Sequence, residues 1–155
     1  MNLTDVLKPD CIKVPLVSND KRGAIDELIQ VLVERGRIAD GESLRAAVWQ
    51  RESTRTTGIG HGLAIPHGKA ACCGELIMAI GKPATPIEFQ SIDNRPVSLI
   101  FLLASAPDQT GPHIQVLARI SRLMTRPDFR NAVLTAPDAQ TIYDLIANEE
   151  KVGAK

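Results

Sequence analysis

A histidine set between a proline and a glycine, His67 in the run Ile65-Pro66-His67-Gly68-Lys69, is the residue of this chain best placed to do chemistry. A neutral imidazole has one basic ring nitrogen, and near pH 7 it serves as nucleophile, acid, base or metal ligand. Pro66 fixes its own φ, lacks an N–H, and pushes Ile65 toward extended geometry. Leu63-Ala64-Ile65 therefore reads as a short strand that delivers His67 to an edge. Gly68 has no side chain, which lets a bulky group approach the ring. Upstream, Gly58, Gly60 and Gly62 offer a second wall rich in accessible N–H groups. A turn histidine bonded to backbone is the other reading of these residues alone.

Two further side chains have the chemistry to cooperate with His67. Arg51 ends a helix expected over about Glu42 to Gln50, opened by Asp40. Its guanidinium fork matches phosphate or carboxylate oxygens. His113 follows Pro112 and falls in the first turn of another expected helix. Unpaired N–H groups and the helix dipole there favour an anion and keep an imidazole neutral. Each has a plainer reading: a solvated surface charge for Arg51, a histidine bonded to a nearby carbonyl for His113. Gly58-Ile59-Gly60-His61-Gly62-Leu63 begins like a dinucleotide fingerprint, but the segment after it reads as strand rather than helix. His61, His67, Cys72 and Cys73 match no usual zinc spacing, so neither a metal nor a cofactor is expected. Ser53, Thr54, Thr56 and Thr57 form a hydroxyl cluster with no base beside it, and a solvated loop is the default there.

These residues need a scaffold, and composition describes it. Of 155 residues, 44% are hydrophobic, and 18 Lys and Arg balance 18 Asp and Glu. One globular domain over residues 1–148 is the simplest reading, with 149–155 as a frayed polar tail. Zero net charge and 3% aromatic content argue against nucleic acid as a partner. No apolar run reaches membrane-span length, and Met1 to Asp10 lacks a signal peptide's apolar stretch, so a soluble cytoplasmic chain is expected. Cys11, Cys72 and Cys73 read as free thiols in a reducing compartment.

Periodicity supplies the elements. Ile25, Leu28, Ile29 and Leu32 share one helical face, with Ser18, Asn19 or Asp20 as cap and Gly36 as stop. Leu44, Ala47 and Val48 form the stripe of the second helix. Strands are expected at Leu76 to Ile80, Ile87 to Phe89 and Val97 to Leu103, with Asp93-Asn94 as a turn. Ile114, Leu117, Ile120, Leu123 and Met124 mark a further helix, and Pro127 and Pro137 sit where two more should begin. Ile142, Leu145 and Ile146 give the last one its buried stripe. Helices around a central group of strands make a three-layer α/β domain, its strand order open.

The residues also resemble a known family, the enzyme IIA domains of the fructose–mannitol type in the phosphoenolpyruvate-dependent phosphotransferase system. The blocks that carry the likeness are Arg51-Glu52, Thr57-Gly58-Ile59-Gly60, Ile65-Pro66-His67-Gly68-Lys69, Thr85-Pro86-Ile87, Ile92-Asp93-Asn94-Arg95-Pro96-Val97, and Pro107-Asp108-Gln109-Thr110 leading to His113. Asp108-Gln109-Thr110 and the Asp93-Asn94 turn make it most similar to the stand-alone nitrogen-regulatory branch. The resemblance implies a mixed sheet flanked by helices and a phosphoryl group carried on His67, received from a phosphohistidine on an HPr-type protein. Arg51 and His113 occupy the positions of the supporting arginine and second histidine, with Gly60 and Gly68 close by. It further implies control of regulatory target proteins, such as potassium-transport or kinase partners. A sugar-transport IIA that passes phosphate to a separate IIB domain is the alternative, and a histidine-dependent hydrolase or metal enzyme that shares the fold is a third. His61 stands where many members have asparagine, and a hydrogen-bonding substitute for that amide is the expectation for it.

Overall fold

A computed structural model describes residues 2–70 and 76–153, with side chains through Glu150. Its sheet is organised around β6 (Leu99–Ser105), seven residues buried without exception. Such a run lacks polar alternation because both of its faces are covered. On one side β6 pairs antiparallel with β5 (Ile77–Pro83), which pairs parallel with β1 (Leu7–Leu16) at the sheet edge. Against its other side lie β3 (Leu63–Ala64) and β4 (His67–Lys69), both parallel to it, and β2 (Gly58–Gly60) pairs antiparallel with β3.

Alternation along the strands sorts the core into two halves. Ile100, Leu102 and Ala104 face α1 (Lys21–Glu34) and α2 (Gly41–Thr54), meeting Leu28, Leu32, Leu44 and Val48. Leu99, Phe101 and Leu103 face the opposite layer, α3 (Thr110–Met124), α4 (Pro127–Leu134) and α5 (Ala139–Gly153). The three-layer α/β architecture with a mixed sheet is the one expected. Asp20 caps α1 by accepting from the Gly23 N–H at 2.7 Å, and Asp40 caps α2 through the Ser43 N–H at 3.1 Å. Pro127 is the first residue of α4, where its missing N–H costs nothing.

Several expectations change. β1 was not visible as a strand because Pro9 and Pro15 interrupt it, yet at an edge with register shifts both prolines are tolerated. Ile87 to Phe89 makes a single bridge, Ile87 to Val97, rather than a strand; Gln90, at φ 55°, turns the chain away just after it. Pro137 lies ahead of its helix: α5 starts at Ala139, and the Asp138 carboxylate accepts from the Thr141 N–H at 2.8 Å. Ile114 is not part of its helix's buried stripe and is 60% exposed; the buried face of α3 carries His113, Val116, Ile120 and Leu123. The frayed tail does not begin at Glu149. α5 continues to Gly153, and the buried Glu150 carboxylate accepts from the Leu3 N–H at 2.6 Å and from Arg119 Nε at 3.0 Å. Cys72 and Cys73 lie outside the described residues, while Cys11 is a buried free thiol whose pKa burial pushes up to about 11.

Gly68 is required by packing. A Cβ there would stand 2.9 Å from both Val48 Cγ2 and the Val48 backbone nitrogen, so the bulky neighbour is α2 itself and not a ligand. Gly68→Ala must push the helix off β4 and should lose about 1–3 kcal/mol in denaturant unfolding. Gly111→Ala, whose Cβ would meet nothing within 4 Å, should be neutral or slightly stabilising. Equal stability of the two variants would contradict this packing.

Candidate functional site

β3 and β4 form one line beside β6, broken at Ile65-Pro66. Ahead of the break the Ile65 N–H turns to the Thr57 carbonyl at 3.0 Å. Pro66, without an N–H, offers only its carbonyl, which accepts from the Leu103 N–H at 3.0 Å. His67 then pairs level with Leu103, and Lys69 with Ser105. With the Gly62 and Pro66 carbonyls turned to β6, the Ile65 carbonyl faces the other way, where no backbone N–H among the described residues takes it. His67 Nδ1 lies 2.9 Å from it. A carbonyl oxygen only accepts, so Nδ1 carries the hydrogen and Nε2 keeps the lone pair.

α3 brings His113 to the same place. Its ring is 2% exposed, with Nδ1 2.7 Å from Ser105 Oγ, and its centroid lies 5.3 Å from that of His67, edge to face at 66°. His113 Nε2 has no hydrogen-bond partner among the described residues. Burial lowers the His113 pKa to about 4, with the neighbouring His67 and Lys69 pushing the same way. The His67 pKa is lowered too, first by burial and then by Arg51 and Lys69, against the pull of the Ile65 carbonyl and Glu52. Both rings are neutral at pH 7.

Arg51, in the last turn of α2, completes the constellation. An open cleft of about 450 Å³ between α2 and α3 is lined by Arg51, His67, Gly68, Lys69 and His113. A second hollow of about 250 Å³ shares Arg51 and His67 and extends past Thr57, Ile59 and Ile92. His67 thus stands on the ridge between two hollows with Arg51 beside it. Arg51 Nη1 donates to the Arg55 carbonyl at 3.0 Å. Lys69 Nζ donates to Thr110 Oγ1 at 2.9 Å, placing a second cation at the mouth.

The glycine segment is not part of this cleft. Gly60, His61 and Gly62 all have positive φ and form the β2–β3 turn, with the His61 N–H donating to Asp93 Oδ2 at 3.1 Å. His61 has φ 57°, a conformation that asparagine and histidine both tolerate better than most residues, so the backbone accounts for the exchange. The strand line from Leu63 to His67 spans roughly 13 Å, and His61 lies beyond its far end. Neither hollow is lined by His61 or Gly60. Among the described residues no group of three or more His, Cys, Asp or Glu is disposed to hold a metal ion.

Two residues of the site were not singled out from sequence. Glu52, 5% exposed, accepts from the Thr57 N–H at 2.7 Å and from the Thr57 hydroxyl, with Lys21 Nζ 3.5 Å away. A continuous chain of bonds results, Glu52 to Thr57, Thr57 to Ile65, Ile65 to His67, which anchors the imidazole to α2. Its sequence signal was its place in the Arg51-Glu52 block of the family likeness, which assigned it no role. Ser105 was hidden at the end of the apolar run of β6.

A neutral imidazole with one open nitrogen, a second buried imidazole with an orphaned nitrogen and two cations are chemically suited to an anionic group. The family description "phosphoenolpyruvate-dependent sugar phosphotransferase system, EIIA 2" matches residues 5–149, and the chain belongs to that family. It is 35% identical over 150 residues to a nitrogen regulatory protein of Bradyrhizobium diazoefficiens, covering 95% of each chain. It is 33% identical over 151 residues to the fructose-specific EIIABC component of Bacillus subtilis, spanning 97% of this chain but only 24% of that protein. The crystal structure of the nitrogen regulatory protein IIA-Ntr from Neisseria meningitidis superimposes with a TM-score of 0.84 at 27% identity, covering 92% and 97% of the two chains. Relatives of both the nitrogen-regulatory and the sugar kinds thus bear out the likeness read from the sequence.

The half-buried His67 and the buried His113 carry a consequence for stability. Both folded pKa values lie below the ordinary 6.5, that of His113 near 4, so below pH 6.5 the unfolded chain binds more protons at these rings than the folded one. Their contribution to stability is present above pH 6.5 and is lost as pH falls, for His113 down to about pH 4 and by up to about 1.4 kcal/mol per pH unit. Denaturant unfolding across this range should show the decline, shallower in His113→Gln. An equal slope in the two proteins would contradict the depressed His113 pKa.

Proposed function

We propose that this chain is a regulatory phosphoryl carrier: Nε2 of His67 accepts a phosphoryl group from a phosphohistidine on an HPr-type protein, and the phosphorylation state controls partner proteins. One observation carries the reading, the Ile65 carbonyl that holds Nδ1–H and leaves Nε2 open beside Arg51 and His113. The Nε2 lone pair forms the new P–N bond while the donor's P–N bond breaks and its electron pair returns to the donor ring. No proton has to leave His67, because Nδ1–H stays on the carbonyl, which also faces the positive charge the ring acquires. Arg51 leaves the Arg55 carbonyl to take phosphoryl oxygens, and His113 meets another. Phosphoryl transfer asks little of the protein beyond such positioning and charge stabilisation.

A protein donor also needs a surface. Ile59, Ile92 and Ile114 are 37%, 67% and 60% exposed, and each lines one of the hollows at His67. They form an apolar collar suited to a brief encounter with a carrier protein. Among the described residues no helix is long and apolar enough to cross a membrane, and a cytoplasmic place beside such a donor is part of the same proposal. Potassium-transport or kinase proteins are the class of target that the nitrogen-regulatory likeness suggests. Sugar transport is the second reading. It is favoured by a Haloferax volcanii protein named as a fructose-specific EIIA component, 33% identical over 127 residues with 82% of each chain covered.

The test is intact mass after incubation with phosphoenolpyruvate, enzyme I and an HPr-type carrier. We expect one acid-labile phosphoryl group, absent from His67→Ala, and acceptance slowed about 10²–10³-fold in Arg51→Ala. Wild-type rates in the arginine variant would sink its role. Onward transfer to an isolated IIB domain would decide for sugar transport.

A further inference from the structure

We propose that Ser105 is a positioning residue: its hydroxyl donates to Nδ1 of His113 and holds that ring in the tautomer whose Nε2–H is presented to the cleft. What that N–H then meets, a phosphoryl oxygen on His67, rests on the carrier reading above; the tautomer itself does not.

Ser105 is fully buried at the end of β6, and its Oγ lies 2.7 Å from His113 Nδ1. Among the described residues, Ser105 Oγ has no other partner, and His113 Nε2 has none at all. One bond between two donors and two acceptors leaves one of each unmet whichever way it runs, so what decides is where the unmet donor lies. If Nδ1–H donated to the serine, the unmet donor would be the hydroxyl proton, and Ser105 lines neither hollow. If the serine donates, the unmet donor is Nε2–H of a ring that lines the cleft, and the serine keeps only unused lone pairs. A buried donor sealed from any acceptor is costly, so the arrangement whose orphan donor faces the cleft prevails.

The remaining orphan lies where it is useful. His113 lines the cleft with His67, whose own tautomer is the opposite one, because a carbonyl oxygen can only accept from Nδ1. The cleft therefore holds a lone pair on one Nε2 and an N–H on the other. A nucleophile and a donor are set side by side from two identical residue types, distinguished only by what each Nδ1 faces. Ser105 acts through His113 and touches no reacting atom.

The ring nitrogens of the full-length, ¹⁵N-labelled protein report this directly by nitrogen–proton correlation NMR near neutral pH. We expect His113 protonated at Nε2 and His67 at Nδ1. A His113 ring protonated at Nδ1 in the wild-type protein would overturn the assignment without any variant. In Ser105→Ala the Nδ1–H form of His113 should become populated, and phosphoryl acceptance should slow about three- to tenfold, the scale of one lost neutral hydrogen bond. Ser105→Thr, which keeps the hydroxyl, should restore both. An unchanged His113 spectrum in Ser105→Ala would also overturn it. A protein that takes no phosphoryl group but shows the expected tautomers would refute the carrier reading and support the Ser105 assignment.

Discussion

The parallel pairing of three residues, His67 to Lys69, with the end of β6 is the constraint from which the site follows. β6 is the most deeply enclosed strand of the sheet, clamped by two layers of helix, and whatever is registered against it inherits its rigidity. One register places His67 level with Leu103 and the Ser105 hydroxyl against α3. It also presses the Gly68 backbone onto α2, which carries Arg51. A shift of one residue would turn the imidazole to the other face of the sheet. The arginine, the two histidines and the serine come from four different elements, yet their separations are set by one short ladder.

Within that frame, alternation along the strand line separates the backbone's duties. Pro66, like Gly62, turns its carbonyl to β6, and by alternation Ile65 between them faces the other way, its N–H on Thr57 and its carbonyl on the imidazole. Burial then keeps both rings uncharged under two nearby cations. These costs to a protonated imidazole become an advantage once an anionic group arrives, because in a site of low polarity each cation and N–H interacts more strongly with the added charge. The geometry is assembled before the ligand, which is what positioning catalysis requires.

Much of this was legible from residue types beside backbone punctuation. His67 stood out because proline and glycine flank it, and Arg51 and His113 because each sits at a helix end. Asp20 was readable as a cap for the same local reason. The elements that escaped depend on contacts distant in sequence. β1 hid behind two prolines that an edge strand tolerates. Gly68 read as space for a ligand, when the neighbour filling that space is a helix about twenty residues earlier. Glu150, in a segment that looked like a polar tail, is buried by bonds to Leu3 and Arg119. Glu52 figured only as half of the Arg51-Glu52 block and Ser105 in no motif, and their roles exist only through the partners the fold brings to them. His61 illustrates the reverse error: its chemistry suggested the site, while its backbone conformation explains its place in a turn.

The central claim is that the Ile65 carbonyl decides which nitrogen of His67 reacts. The most direct test is to phosphorylate the ¹⁵N-labelled protein and locate the phosphorus by its coupling to the ring nitrogens. Phosphorus on Nε2, with Nδ1 still protonated, is the predicted result. Phosphorus on Nδ1 would mean that the bond to Ile65 breaks before transfer, and it would contradict the account.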